Sequence, residues 1–461
     1  MLIFSVFLYF CVGIAISPWG KIRIGKDSDR PEFSGLSWIS MLFAAGMGIG
    51  LVFWSIAEPM WHFAGNPYLA EGEALSPAAA ETAMLLTIFH WGLHPWAVYS
   101  IVGLAMGYFA FRKDMPLNIS STLQPLIGTK GTEGALGGIA NSLAIFATVG
   151  GLTTSFGLGV LQINYGLDLL FGIPSSKIVQ VSLVIGITAL AIISVMTGLK
   201  KGILFLSQLN MGLATIMVTA VLILGPTIYL LSFAVQLIGD YSSKLLSLGS
   251  NTFANYPDEQ WPNWWTTFYW AWWISWSPFV GSFIARISRG RTIREFFFGV
   301  ILVPTLVTSL WLIIMGGTAL NIELLAGGEG GILEATKVAS ERATFATFAA
   351  MDLGVSLTFI LSLLAVILLV IFFVTSCDSG TLVLSMITSK GNLDPPKGLR
   401  LFWGLIIGGV ALVLLLTGGL SALQTASIIA ALPFSIIMVL MLVSLFRALA
   451  ADSPASSKKM K

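Results

Sequence analysis

Six tryptophans, Trp264, Trp265, Trp270, Trp272, Trp273 and Trp276, fall within one short stretch of a chain that has 15 in all. Spacings of three and four put Tyr269, Trp272, Trp273 and Trp276 on one helix face. Aromatic faces attract a cation through the ring quadrupole, by about 2 kcal/mol or more per desolvated contact. They suit quaternary ammonium groups, which have no hydrogen to donate. A second aromatic set, Trp91, Trp96 and Tyr99, shares another apolar stretch. Trp261, Trp264 and Trp265 stand at the outer end of the first cluster, where an interfacial aromatic belt is expected instead. Carboxylates are scarce at this depth: Glu58 ends its apolar run, and Asp378 lies toward the inner end of another. Aromatic rings, not a carboxylate, are therefore expected to hold a positive charge.

Other chemistries find little support. The histidines are His62, His90 and His94, and no H-E-x-x-H pattern surrounds the pair four apart. His90 and His94 read as hydrogen-bonded side chains lining a helix interface. No G-x-x-x-x-G-K-[ST] loop is present to cradle ATP phosphates, and Gly128 to Gly134 has the wrong spacing. No nucleophile elbow appears. The chain is expected to be no enzyme and to carry no cofactor. A formal charge of +2 gives no sign of a nucleic-acid partner. Cys11 and Cys377 both sit in apolar runs, so no disulfide framework is implied.

These residues must be positioned by membrane helices. Of 461 residues, 56% are apolar and only 10% charged, with repeated apolar runs near the length a helix needs to cross about 30 Å of hydrocarbon. Eleven spans are expected, from Met1 to Ser17, Gly35 to Ala57, Glu81 to Phe111, Gly138 to Leu170, Ile178 to Gly198, Leu209 to Gly239, Trp265 to Arg286, Phe296 to Leu320, Val355 to Thr388, Leu401 to Thr417 and Leu420 to Leu445. Of the 24 lysines and arginines, all but Lys177, Lys244, Lys337 and Arg342 then fall on one side, which the positive-inside rule makes cytoplasmic. Met1 is placed outside and Lys461 inside. Residues 1 to 17 read as a span, having neither a positive leading region nor a small-x-small cleavage pattern.

Two spans are irregular. Gly46, Gly48 and Gly50 alternate around Met47 and weaken the helix by about 1 kcal/mol each relative to alanine, so an unwound segment is expected there. In the second, Pro278 removes a backbone hydrogen bond and is expected to kink and break the helix after Ser277. Non-helical backbone at membrane depth survives only against protein or a polar cavity, so both segments point to a site. They open two successive groups of five spans, the pattern of an inverted-repeat transporter.

Met41 to Pro59 (MLFAAGMGIGLVFWSIAEP), His90 to Tyr99 (HWGLHPWAVY) and Phe268 to Arg294 (FYWAWWISWSPFVGSFIARISRGRTIR) resemble the betaine/carnitine/choline transporters, and the likeness covers nearly the whole chain. The resemblance implies a leucine-transporter-like fold of five plus five inverted spans, a homotrimer in the lipid of the cytoplasmic (inner) membrane, and a central site between the first helices of the two repeats. It implies that Trp91, Trp96, Tyr99 and Trp273 form an aromatic cage, with Trp272 and Trp276 lining the route and Phe283 nearby. Gly46, Met47, Gly48 and Gly50 would meet the substrate's carboxylate side through backbone groups. By the same likeness, one sodium ion would lie among Ala44, Met47, Phe372, Thr375 and Ser376, and a second among Thr153, Thr154 or Ser155 and Phe279. Exchangers of the family carry a basic residue among the ion-site helices, and Gly138 to Leu170 has none. Sodium symport is therefore expected, with exchange or proton coupling as the alternatives.

Choline-type members resemble G-M-G-I-D where this chain has Gly50, so a zwitterion, glycine betaine first, is the expected substrate. Dimethylsulfoniopropionate, ectoine, carnitine or proline betaine would also suit such a cage. The implied role is osmoprotection by uptake of a compatible solute. The expected organisation is a peripheral helix and loop (1–34), a first repeat (35–240), an external connection (241–264), a second repeat (265–446) and a short basic tail (447–461). The family usually has twelve spans, and this chain begins at what resembles the second. Its short tail leaves no expectation of strong osmotic gating.

Overall fold

The computed structural model describes residues 1–46, 48–197 and 203–452, and the side chains of 43–46, 197, 203 and 204 are likewise outside the description. Met47, a predicted contact for both substrate and ion, thus lies outside the described residues, as do the side chains of Ala44 and of the end of the preceding helix.

Among the described residues the regular structure is helical, with one isolated backbone bridge between Arg23 and Thr292. Six helices among the described residues are long and apolar enough to cross a membrane, and the shorter Leu2–Ile16 (α1) is apolar as well. The glycine-rich span is two helices, Gly35–Gly46 (α2) and Ile49–Ala64 (α3), with Gly48 extended at φ −152° and ψ −154°. The interruption expected from the glycines is there. Pro77–Trp91 (α4) and Leu93–Gly107 (α5) meet at a second interruption, Gly92, where a single span from Glu81 to Phe111 was expected. Short Gln124–Glu133 (α6) precedes the long Ala135–Phe171 (α7).

The expected span from Leu209 to Gly239 is corrected. It is Ile203–Leu224 (α9), following Lys177–Thr197 (α8), and a separate Thr227–Ser250 (α10). Pro226 has no N–H to continue the helix, and Gly225 N closes the last turn on Val221 O at 2.9 Å. α10 carries Gln236, Asp240 and Lys244 and is not among the helices apolar enough to cross. The correction leaves the expected sidedness as it was, since α9 is long and apolar enough to cross and Phe268–Ile287 (α11) follows α10 as the next expected span.

The predicted break at Ser277-Pro278 is also corrected, because α11 is helical throughout. Pro278 cannot donate to Ile274 O, but the Ser277 hydroxyl does so, at 2.7 Å. The carbonyl freed by the proline is thereby satisfied without unwinding. Ile293–Phe297 (α12) runs through a π-turn into Val303–Leu325 (α13). After short Ile332–Val338 (α14) and Ala343–Ala350 (α15) come Gly354–Thr388 (α16) and Lys397–Ala451 (α17). α17 holds two of the expected spans, joined across Gly419 at φ 55° and ψ −137°.

The interior is built by α7, α11, α16 and α17 packing on one another, with α5 along α11 and α3 beside α4, α7 and α13. α8 and α9 lie outside this core and present Ile185, Ile193, Ile216 and Ile223 outward, as a lipid-facing surface requires. On the side with the basic loops, residues 22–24 pair with 290–293 through Ile24 N to Arg291 O (2.8 Å), Gly290 N to Ile24 O (2.7 Å) and Ile293 N to Ile22 O (2.8 Å).

Candidate functional site: a buried aromatic centre

The break at Gly92 sets the centre. A helix end leaves its last carbonyls without intrahelical partners, and His90 O, next to the last residue of α4, accepts the Trp273 indole N–H at 2.9 Å. Trp273 of α11 thereby meets Trp91 of α4 edge to face, with ring centroids 4.8 Å apart and planes at 73°. Tyr99 of α5 meets Trp273 at 6.2 Å and 86°, and Trp96 meets Tyr99 at 5.5 Å and 85°. Such perpendicular contacts are favoured by the ring quadrupoles. Trp91, Trp96, Tyr99 and Trp273 are all buried. Of the predicted site residues, these four are brought together.

Trp272 and Trp276 extend the group along α11. Trp272 lies parallel to Trp273 at 5.1 Å, and Trp276 stands 6.3 Å from Trp272 and 6.5 Å from Trp273. The glycine-rich break adjoins them. A Cβ on Gly50 would fall 2.3 Å from Trp272 Cη2, and one on Gly48 would fall 3.2 Å from Trp276 Cη2 and 3.4 Å from Ser376 Oγ. Only glycine at 50 admits the Trp272 ring in this position. Tyr99 Oη, Trp272 Nε1 and Trp276 Nε1 are buried without a hydrogen-bond partner among the described residues. The two indole N–H groups are donors beside the Gly48–Gly50 backbone, Trp276 at Gly48 and Trp272 at Gly50, and are suited to an anionic group. Phe283 is buried on α11 but two turns beyond Trp276, and no ring contact joins it to the cluster among the described residues.

The predicted ion residues divide. Ser376 of α16 is beside Gly48, as the contact distance above requires, with Thr375 and Phe372 on the same helix. The Thr375 hydroxyl turns back on its own helix, to Ile371 O at 3.0 Å and Phe372 O at 3.1 Å. On α7, Thr154 is engaged with α17, through Leu423 O at 2.7 Å and Ser427 Oγ at 2.8 Å. Thr153 bonds to Val149 O at 2.8 Å within its own helix. Gly151 of α7 closely approaches α11, a Cβ there falling 2.9 Å from Ser275 Oγ. Ser155, four residues on, shares that face, and Phe279 stands four residues beyond Ser275 on α11, 5.9 Å from Trp276.

Sequence reasoning missed the polar network behind the aromatic cluster. Glu58 is buried within α3, which continues through Pro59 to Ala64 instead of ending there. Its Oε2 accepts the Trp91 indole N–H at 2.8 Å and the Tyr269 hydroxyl at 2.5 Å. Its Oε1 faces His90 Nδ1 at 2.7 Å and His62 Nε2 at 3.3 Å. His90 Nε2 meets Thr266 Oγ1 at 3.0 Å, and His62 Nδ1 receives the Trp261 indole N–H at 3.3 Å. Glu58, His62 and His90 bring ligand atoms within 4.8 Å of one another, the reach of a metal site. The outer contacts oppose that use. A metal-bound histidine donates its other N–H outward, whereas His62 Nδ1 is met by a donor. The proton this places on His62 Nε2 points at Glu58, so the cluster is a hydrogen-bonded network, as was expected for His90. His94 instead contacts Ser5 Oγ at 3.4 Å. Trp264 is 72% exposed, in keeping with an interfacial belt, but Trp261 and Trp265 pack on His62. The signal available in the sequence was a carboxylate and two histidines close to apolar spans.

Fold and site together define a multi-pass helical membrane protein with a buried aromatic centre. The model of the betaine/carnitine/choline family transporters matches residues 1–454. The chain is 47% identical over 463 residues to the glycine betaine transporter OpuD of Bacillus subtilis, covering 100% of this chain and 88% of that protein. It is 45% identical to a glycine betaine transporter of Acinetobacter baylyi (97% and 66% covered) and 44% identical to an ectoine/hydroxyectoine transporter of Virgibacillus pantothenticus (96% and 86% covered). The chain belongs to the betaine/carnitine/choline transporter family and is a transporter of the betaine type, not an enzyme.

Proposed function

We propose that the protein is a secondary active transporter that imports a small quaternary-ammonium zwitterion, glycine betaine first, by sodium symport with alternating access. The observation that carries this reading is the meeting of Trp91, Trp96, Tyr99 and Trp273, from distant parts of the chain, in one buried edge-to-face group. The trimethylammonium head takes the aromatic faces, each worth about 2 kcal/mol when desolvated. The carboxylate takes Gly48 and the unpartnered indole N–H groups of Trp272 and Trp276. Gly50, with no carboxylate at that position, favours a zwitterion over a net cation.

Sodium is carried as a co-substrate. Its first site lies between the backbone of the α2–α3 break and the hydroxyls of Thr375 and Ser376, oxygen donors suited to a hard cation. At the second, Ser155 is favoured over Thr154, whose hydroxyl is held by α17. In the proposed five-plus-five inverted repeat, α2/α3 and α11 open the two halves, and the discontinuity at Gly48 gives the first a joint that alternating access needs. A homotrimer in the cytoplasmic membrane and a role in osmoprotection complete the reading, supported by likeness to the family.

Uptake of radiolabelled glycine betaine into proteoliposomes tests it, with an inward sodium gradient, an inward proton gradient, or neither. Accumulation driven by sodium is the expected result. Uptake only against preloaded substrate means exchange, and uptake driven by protons alone removes the sodium assignment.

A further inference from the structure

We infer that Glu58 supplies the counter-charge of the aromatic cage from behind, through the N–H of Trp91, and so sets its preference for a cationic head. The inference rests on the proposed reading that the cage takes an onium group.

Glu58 is fully buried, and its carboxylate is surrounded by donors. The Trp91 indole can only donate. His62 Nε2 also donates, because its Nδ1 takes the Trp261 N–H. With the Tyr269 hydroxyl on the same oxygen as Trp91, this is the surrounding of an ionised carboxylate, which only accepts. No lysine or arginine among the described residues comes within ion-pair distance; its pairs are His62 and His90 alone, and His62 is neutral by the tautomer its neighbours impose. No permanently charged side chain among the described residues balances the carboxylate, whose one remaining ionisable partner is His90, held between Oε1 and the Thr266 hydroxyl, and an ionisable group buried in this way in a membrane protein marks function.

Its position gives that charge a use. Both donors on Oε2 are aromatic members or neighbours of the cage, and both abut Trp273: Trp91 at 4.8 Å edge-on, Tyr269 at 5.9 Å nearly parallel. A charge-assisted hydrogen bond from an indole N–H to a carboxylate pushes electron density onto the ring. The face presented to the ligand becomes more negative, while the carboxylate itself stays out of contact. A cage with a carboxylate in contact would favour net cations; one polarised at one remove favours the onium end of a zwitterion without meeting its carboxylate. Glu58 is thus a positioning and specificity-determining residue, acting through Trp91.

The test compares glycine betaine with its uncharged-head isostere, tert-butylacetate, by calorimetric titration of the purified full chain in sodium. The wild type is expected to prefer glycine betaine, and Glu58→Gln to reduce that preference about tenfold by weakening glycine betaine alone. A preference left intact in a folded Glu58→Gln overturns the inference, and so does equal weakening of both ligands, which would mean that Glu58 only shapes the cage. Should the wild type show no preference, the cage reading itself falls. The glutamine amide would face two donors, so that variant is checked for folding by its melting curve. If it fails to fold, Trp91 is replaced by benzothienylalanine, which keeps the rings but lacks the N–H. A reduced preference for glycine betaine then supports the inference, and an intact one overturns it.

Discussion

Trp273 is fixed from two directions, by its N–H on His90 O and by its ring lying parallel to Trp272. Trp91 and Tyr99 stand nearly perpendicular to it, with ring centroids 4.8 and 6.2 Å away. Trp273→Leu keeps apolar bulk but removes the π face, and is expected to weaken glycine betaine binding by about 2 kcal/mol, roughly thirtyfold, in a titration of the purified protein. Gly50→Ala places a methyl 2.3 Å from Trp272 Cη2. Overpacking of this kind costs about 1–3 kcal/mol, so binding is expected to fall about tenfold while the protein still inserts. Both positions were legible in the sequence, Trp273 on an aromatic helix face from the three-and-four spacing, with its cage role implied by the family resemblance, and Gly50 from the glycine run. Glu58 was not, because a following proline reads as a helix end, yet α3 carries Pro59 internally.

At the scale of elements, glycine and proline act through their neighbours. Pro278 leaves α11 unbroken because Ser277 replaces the lost donor to Ile274 O. Ser277→Ala orphans that carbonyl and is expected to lower stability by about 1 kcal/mol, read as a lower melting temperature in detergent. A proline therefore did not mark the break, whereas Gly92, inconspicuous within one long apolar run, did. The Gly225-Pro226 pair was a stop signal of the ordinary kind. It was hidden by isoleucines and leucines on both sides, which made α9 and the more polar α10 look like one span.

For the whole molecule, sidedness is assigned from loop charge, which tolerates errors in helix boundaries. The basic side is also where distant segments are tied together. Arg112 reaches Asp27 at 2.9 Å and Asp452 at 3.2 Å, Arg286 reaches Glu32 at 3.1 Å, Arg289 reaches Asp29 at 3.1 Å, and Lys26 pairs with Asp114. The Arg289 guanidinium, and after it the Lys26 backbone N–H, hold the Asp29 carboxyl below its ordinary range. A depressed folded pKa makes this tie fully present above the unfolded value near pH 4 and lost as pH falls through the lower folded value. Protection factors for hydrogen exchange across 22–32 are expected to be high at neutral pH and to fall below about pH 4, with Asp29→Asn already less protected at neutral pH. What loop charge and hydropathy could not convey is which rings meet, because the cage joins α4, α5 and α11 across the fold. That meeting is tested most directly by equilibrium binding of radiolabelled glycine betaine to the purified protein in sodium, wild type beside Trp273→Leu. Saturable binding that the substitution largely removes is the predicted result; binding of equal strength in a folded Trp273→Leu would contradict the aromatic centre as the substrate site.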